Sequence, residues 1–230
     1  MERKFSRLKK LILPVLLLVN ASLFAQVPSV IERIRFPVWA EVDAYPGLES
    51  GEYDSDEPYP VSRIKEIVPF LLNGMVYGWD FVYVPSDKAR GVEEYFEITE
   101  IQNLESENGK INYSSPWIQD NKFNCWVDYT RTDFQIQNYY LWSSIKNPVI
   151  QGRGYGSLED GFDGIKKAAE NALKNAVREH YRTKIKNKPK EITGSVLIRK
   201  VPTLGIDAGQ YVIVLDFFLE YGKIKEYTLF

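Results

Sequence analysis

Gly152, Gly154 and Gly156 are the residues whose spacing comes nearest to that of a phosphate-binding loop. They follow a short apolar run and precede a long helical pattern. A dinucleotide-binding loop would need glycine at position 157, where Ser157 stands, and a parallel strand about 20 residues later, where the pattern is helical. The Walker pattern also fails, since no Gly-Lys-Ser or Gly-Lys-Thr follows. The glycines favour a strand that a helix crosses closely, and no cofactor is expected.

Nucleophilic and metal chemistry have few candidates. His180 and Cys125 are the only histidine and the only cysteine, too few for a zinc site. A catalytic triad would have to use His180, whose charged neighbours at a helix end favour a solvated or dipole-compensating role. Cys125 falls in an apolar row of a strand pattern, which predicts a buried structural thiol. We predict no catalytic residue and no metal ligand, but the paired carboxylates of a glycosidase stay open, because their spatial pairing is invisible in a sequence.

A basic run at residues 178–190 is the strongest candidate for a binding site. It carries six cations and one acid within a chain whose formal net charge is −2. Such a cluster can dock an acidic protein surface, anionic lipid headgroups or a cell-wall polymer, and the alternative is a solvated helix end and loop. The predicted partner-binding residues are Arg178, Arg182, Lys184, Lys186, Lys188 and Lys190.

The first 25 residues have the layout of a secretory signal peptide. A basic start precedes the apolar run 11–19, and the segment ends at Ala25. Nine apolar residues are fewer than the roughly 20 that span a bilayer, so we expect cleavage and no stable membrane insertion afterwards. The sequence thus predicts export, to the periplasm of a diderm bacterium.

The exported chain is acidic and large enough for a sizeable core. Without residues 1–25 it has 24 basic and 30 acidic residues, a net charge of −6, which argues against nucleic acid as a partner. A single cysteine cannot form an intrachain disulfide, so the core has to stabilise the fold.

The surest element is a long helix from Phe162 onward. Its apolar residues recur at spacings of three and four, which gives one stripe rich in alanine that needs a sheet to pack on. The stripe consists of Ile165, Ala169, Ala172, Leu173 and Ala176. The residues from Ser157 to Asp160 have the spacing of a capping box at the start of this helix.

Period-2 and helical patterns predict the other elements. Before the long helix they are a strand at 38–44, an acidic loop at 49–60, a helix at 61–73 that Pro69 kinks or ends early, paired strands at 75–84 and 93–101, a strand at 122–130 and a short helix within 133–146. The acidic loop lacks the ligand spacing of a calcium-binding EF-hand, so a solvated loop is expected. After the helix come strands at 192–201, 210–220 and 223–230, the last two joined by a tight hairpin at Glu220–Lys223.

These elements predict an α+β fold of mostly antiparallel sheets, with one long and one shorter helix packed on them. Helix, strand, strand occurs twice, which leaves open an internal duplication and two lobes, an N-terminal one at 26–146 and a C-terminal one at 147–230.

The stretch from Val149 to Gly156, followed by the small-residue repeat of Ala168 to Val177, resembles the exported module of FlgT-type flagellar assembly proteins and of related 20 kDa-type envelope lipoproteins. The resemblance covers roughly residues 148–218, and the chain departs from it by lacking a lipid-accepting cysteine. It implies a non-catalytic role in flagellar or envelope assembly, with an envelope or flagellar protein as partner. The leading hypothesis is therefore an extracytoplasmic binding or assembly protein; the alternative is a periplasmic hydrolase acting on cell-wall glycan or peptide.

Overall fold

The structure, a computed structural model, describes residues 31–45, 57–104 and 110–227, and these form nine strands and three α-helices. The strands are β1 (Arg33–Glu41), β2 (Trp79–Val84), β3 (Tyr95–Glu100), β4 (Ile111–Gln119), β5 (Lys122–Thr130), β6 (Val149–Ser157), β7 (Glu191–Ile198), β8 (Thr203–Asp207) and β9 (Gln210–Lys225). The helices are α1 (Tyr59–Val76), α2 (Asp133–Trp142) and α3 (Gly161–Arg182). All named strand pairs are antiparallel, which confirms the predicted α+β class. The predicted signal peptide and most of the acidic loop lie outside the described residues.

The smaller sheet has the strand order β1-β5-β4. The predicted strand at 122–130 is confirmed as β5. The first strand was expected at 38–44, but it begins at Arg33, because Ile34 and Phe36 continue the buried alternation and β5 offers nine partners in register. No element was predicted over β4, whose polar sequence includes a register shift between Ser114 and Trp117.

The larger sheet has the order β3-β2-β7-β9-β6, and β8 pairs with the start of β9. The predicted hairpin of β2 and β3 is confirmed. The predicted hairpin at Glu220–Lys223 is wrong, because β9 runs unbroken to Lys225 and Gly222 lies closely against Thr193 of β7. The tight turn instead joins β8 to β9 at Ala208 and Gly209, whose φ values of 49° and 73° suit a two-residue hairpin.

Of the two shorter helices, α1 is longer than predicted and α2 lies within its predicted range. α1 continues through Pro69 to Val76, since buried residues on both sides of the proline outweigh the lost backbone hydrogen bond. The strand expected from position 75 consequently begins only at Trp79. The short helix expected within 133–146 is confirmed as α2, which starts with a capping box between Thr132 and Gln135.

The long helix α3 lies directly on the glycines of β6. A Cβ atom at Gly152, Gly154 or Gly156 would lie 1.9–2.0 Å from a backbone oxygen of α3, so only glycine fits at these three positions. The close crossing and the buried alanine stripe are confirmed. The predicted capping box is wrong, because Ser157 is still part of β6 and its hydroxyl accepts a hydrogen bond from the Glu159 N–H at 3.1 Å.

The main hydrophobic core takes residues from both sides of position 146. Strand β2 pairs with β7, so the larger sheet also combines the two halves of the chain. The division into two lobes, at 26–146 and 147–230, stays a prediction.

Candidate partner-binding surface

The first two predicted binding residues, Arg178 and Arg182, are exposed on the last turns of α3. Arg182 is paired with Glu179 on the same helix, at 2.8 Å between Nη2 and Oε1. Arg178 approaches Tyr83 of β2, where it opposes the burial and the Glu94 carboxylate that together raise the pKa of Tyr83 to about 12. Arg182 therefore has a partner already, and Arg178 faces the β2 side of the sheet.

His180 and Lys184 contact Tyr221 of β9. The Tyr221 hydroxyl accepts a hydrogen bond from Lys184 Nζ at 2.5 Å and lies 2.9 Å from His180 Nε2. Burial and the Lys184 charge lower the pKa of His180. The Tyr221 hydroxyl thus holds the Lys184 ammonium against the sheet. The neutral imidazole is the favoured form of His180.

The loop after α3 lies beside the turn that follows β2. Lys188 Nζ donates a hydrogen bond to the Ser86 carbonyl oxygen at 2.8 Å, which joins residues far apart in the sequence. Lys186 and Lys188 line an open pocket of about 560 Å³ together with Arg90, Asp87 and Glu226.

Arg90 is a cation of this pocket that the sequence analysis missed. Its guanidinium contacts Asp87 at 2.5 Å and lies 4.3 Å from the Tyr227 ring centre. The hydrogen bond from Arg90 lowers the pKa of Asp87. This carboxylate therefore stays ionised, and the Arg90 guanidinium balances its charge. Nothing in the local sequence pairs Arg90 with the basic run; only the strand order brings them together.

The loop ends where Lys190 N–H donates to the Lys225 carbonyl oxygen at 2.7 Å, and Lys225 Nζ pairs with Glu191 at 2.6 Å. The structure therefore brings Lys186 and Lys188 together with Arg90 in one pocket, whereas Lys184 contacts Tyr221 and Arg182 pairs with Glu179. We call Arg90, Lys184, Lys186, Lys188 and Lys190 the basic surface. All five are exposed, and an exposed cluster with an excess of positive charge attracts anionic groups at long range.

Cys125 does not offer a reactive thiol. It is 4% exposed, and burial raises its pKa to about 11, so the thiol is protonated at neutral pH. Among residues 31–45, 57–104 and 110–227, no three or more His, Cys, Asp or Glu side chains are grouped so as to hold a metal ion. Within the same ranges, none of the helices combines the length and apolarity needed to cross a bilayer.

Comparison with known proteins places nearly the whole chain in one family. A protein-family model matches residues 22–227. The chain belongs to this family. A relative from Treponema pallidum (strain Nichols), named "Uncharacterized protein", is 29% identical over 197 residues, which cover 86% of this chain and 83% of the relative. No solved structure matches the chain significantly. Neither the family match nor the relative names an activity, ligand or partner, so function has to be argued from the residues.

Proposed function

We propose that this protein is a non-catalytic, extracytoplasmic binding or assembly protein that docks an acidic surface of an envelope or flagellar protein. The observation that carries the proposal is the basic surface, in which Lys186, Lys188 and Arg90 line a pocket of about 560 Å³ together with Asp87, the ion-pair partner of Arg90, and Glu226. These cations contrast with the net charge of −6 that the chain would have after export. Such a contrast steers association with acidic partners.

Export to the periplasm of a diderm bacterium is the second part of the proposal. Its support is the basic and apolar layout of residues 1–25. Intact-mass measurement of the protein isolated from its native host should give a chain that begins near Gln26. Retention of Met1 would contradict export with cleavage.

The alternative, a periplasmic hydrolase acting on cell-wall glycan or peptide, has weaker support. One pair of carboxylates, Asp80 and Glu220, flanks Ser195 on the larger sheet. However, Asp80 accepts a hydrogen bond from Ser195 Oγ at 2.5 Å, and both carboxylates are exposed. A glycosidase keeps its general acid protonated by surrounding it with apolar groups.

The test of docking is a reversal of charge on the basic surface. A variant with glutamate in place of Lys184, Lys186, Lys188 and Lys190 should stay folded, with a melting temperature only slightly lowered by the lost Tyr221 and Ser86 contacts, and should lose its partners in a cross-linked envelope pull-down. The matched control replaces four other lysines by glutamate, namely Lys110, Lys146, Lys166 and Lys167, and should keep those partners.

Salt gives an independent measurement of the same contact. Exposed charges are screened over about 8 Å at physiological ionic strength, so recovery of the partners should fall as salt rises. A partner list that is the same for both quadruple variants, or that does not respond to salt, would contradict docking through the basic surface.

A further inference from the structure

A second groove lies beside α2 on the larger sheet, and its floor is acidic. Asp80 of β2, Ser195 of β7 and Glu220 of β9 are directly opposite one another in register across three neighbouring strands. Neighbouring strands are about 4.8 Å apart, so the backbones that carry the two carboxylates are about 9.6 Å apart. The three side chains line one pocket of about 470 Å³.

The rim of this groove is apolar and exposed. Phe134, Asn138 and Leu141 lie at i, i+4 and i+7 of α2, so they share the helix face that lines the groove. Phe134 is 70% exposed and Leu141 72%, and Ile101 at the end of the β2–β3 hairpin is 45% exposed. The inner side of α2 already packs on the sheet through Trp142. Large apolar side chains left open to solvent around one pocket are typical of an interaction site.

The charges that line the groove are of one sign. Asp80 and Glu220 are its two ionisable acids, and none of the described residues that line it is basic. Asp80 is hydrogen-bonded to Ser195, and no cation pairs with Glu220 among the ion pairs of the described residues. A ligand that complements this lining carries a positive charge beside apolar side chains.

We propose that this groove binds a peptide segment of a partner protein in which a lysine or arginine is flanked by apolar side chains. The cation lies between Asp80 and Glu220, and the apolar side chains pack on Ile101, Phe134 and Leu141. The site is separate from the basic surface and does not depend on docking there, so the molecule offers two contact sites of opposite charge.

The same residues favour a peptide over a sugar chain. Sugars stack on exposed aromatic planes, whereas two of the three exposed apolar side chains at this rim, Ile101 and Leu141, are aliphatic. Trp142 also lines the groove, but its indole is 8% exposed and packs on Leu197 and Phe218 of the sheet, so its ring face is not open to a sugar.

The test uses the purified protein and a short fluorescein-labelled peptide of alternating leucine and lysine, measured by fluorescence anisotropy. The double variant Asp80→Asn/Glu220→Gln should bind the peptide about fivefold or more weakly, as expected for the loss of two exposed ion pairs. Leu141→Ser should also weaken binding, without changing the melting temperature. The matched control Asp120→Asn/Asp207→Asn removes two carboxylates outside the groove and should bind normally.

Two further peptides and one glycan decide between occupants. Peptides with glutamate in place of lysine, or glycine in place of leucine, should bind much more weakly than the leucine-lysine peptide. Equal affinity of the groove variants and the control, or tight binding of the glutamate peptide, would overturn the proposal. Displacement of the peptide by a soluble N-acetylglucosamine oligomer would overturn it in favour of a glycan site. The lysine-to-glutamate variant of the basic surface should still bind the peptide, so each proposal can fail alone.

Discussion

The two ends of α3 contact the sheet in different ways. From Gly164 to Ala176 the helix backbone touches the backbone of β6, because glycine and alanine leave no side chain between them. From Arg178 onward long side chains make the contacts, such as Lys184 to Tyr221. The backbone contact leaves no room for a larger side chain. The side-chain contacts after Arg178 are exposed to solvent, so these side chains can bind another molecule instead. The same helix therefore serves as the rigid centre of the fold and as the support of the proposed binding surface.

The largest effect is expected where a charge enters the rigid contact. Ala172 is 0% exposed, so Ala172→Asp buries an unpaired carboxylate and should destabilise the protein by about 4 kcal/mol or more. Lys167→Asp puts the same residue on the exposed face of α3 and should cost about 0.5 kcal/mol or less. Urea unfolding measures both. Similar losses in the two variants would mean that Ala172 does not face the sheet.

A single methyl group should separate the tight contact from an open one. The added Cβ of Gly154→Ala would lie 2.0 Å from the Ala168 carbonyl oxygen, so the helix has to move away at a cost of about 2 to 3 kcal/mol. At Gly205 the added Cβ would lie 3.4 Å from Val212 Cγ1, an ordinary contact, so Gly205→Ala should change stability little. Equal melting temperatures for the two variants would rule out backbone contact between α3 and β6.

The sequence predicts the rigid part well because its signals are local. The spacing of Ala169, Ala172 and Ala176 determines the buried helix face, and the alternation within 122–130 determines β5. The sequence did not predict β8 or the unbroken course of β9. The course of β9 is determined instead by pairing with strands distant in the sequence. β8 is five residues long and mostly exposed, and β9 continues past Gly222 because β7 supplies partners as far as Glu191.

Only part of the candidate site could be predicted, because only some of its residues are close together in the sequence. The basic run is contiguous in sequence, so its cations were found. Arg90 and Tyr221 join it through the order of β2, β7 and β9, for which no local pattern exists. The buried Arg131 is a similar case, since its guanidinium donates to the Ile31 and Met75 carbonyl oxygens at 2.7 Å and 2.9 Å across three segments of the chain.

A smaller effect is expected at the exposed end of α3. Tyr221→Phe removes the hydroxyl that contacts Lys184 and His180 and should cost about 0.5 to 1 kcal/mol in urea unfolding, as for an exposed hydrogen bond. Because the variant frees Lys184 without changing its charge, the envelope pull-down should recover the same partners. Loss of partners would mean that a fixed Lys184, and not charge alone, is needed for docking.

The smallest effect concerns the pH dependence of stability through His180. Burial and Lys184 lower the pKa of His180 in the folded protein, whereas the unfolded chain binds this proton near the ordinary value of about 6.5. The stabilisation by neutral His180 is therefore complete above pH 6.5 and is lost as the pH falls from there through the folded pKa, because the unfolded state then binds more protons. His180→Gln cannot titrate, so its melting temperature should fall less than that of the natural chain between pH 7.5 and pH 5.5. A steeper fall in the variant would mean that the charged imidazole is the favoured form, as a dipole-compensating role at the end of α3 requires. The lowered pKa opposes that role.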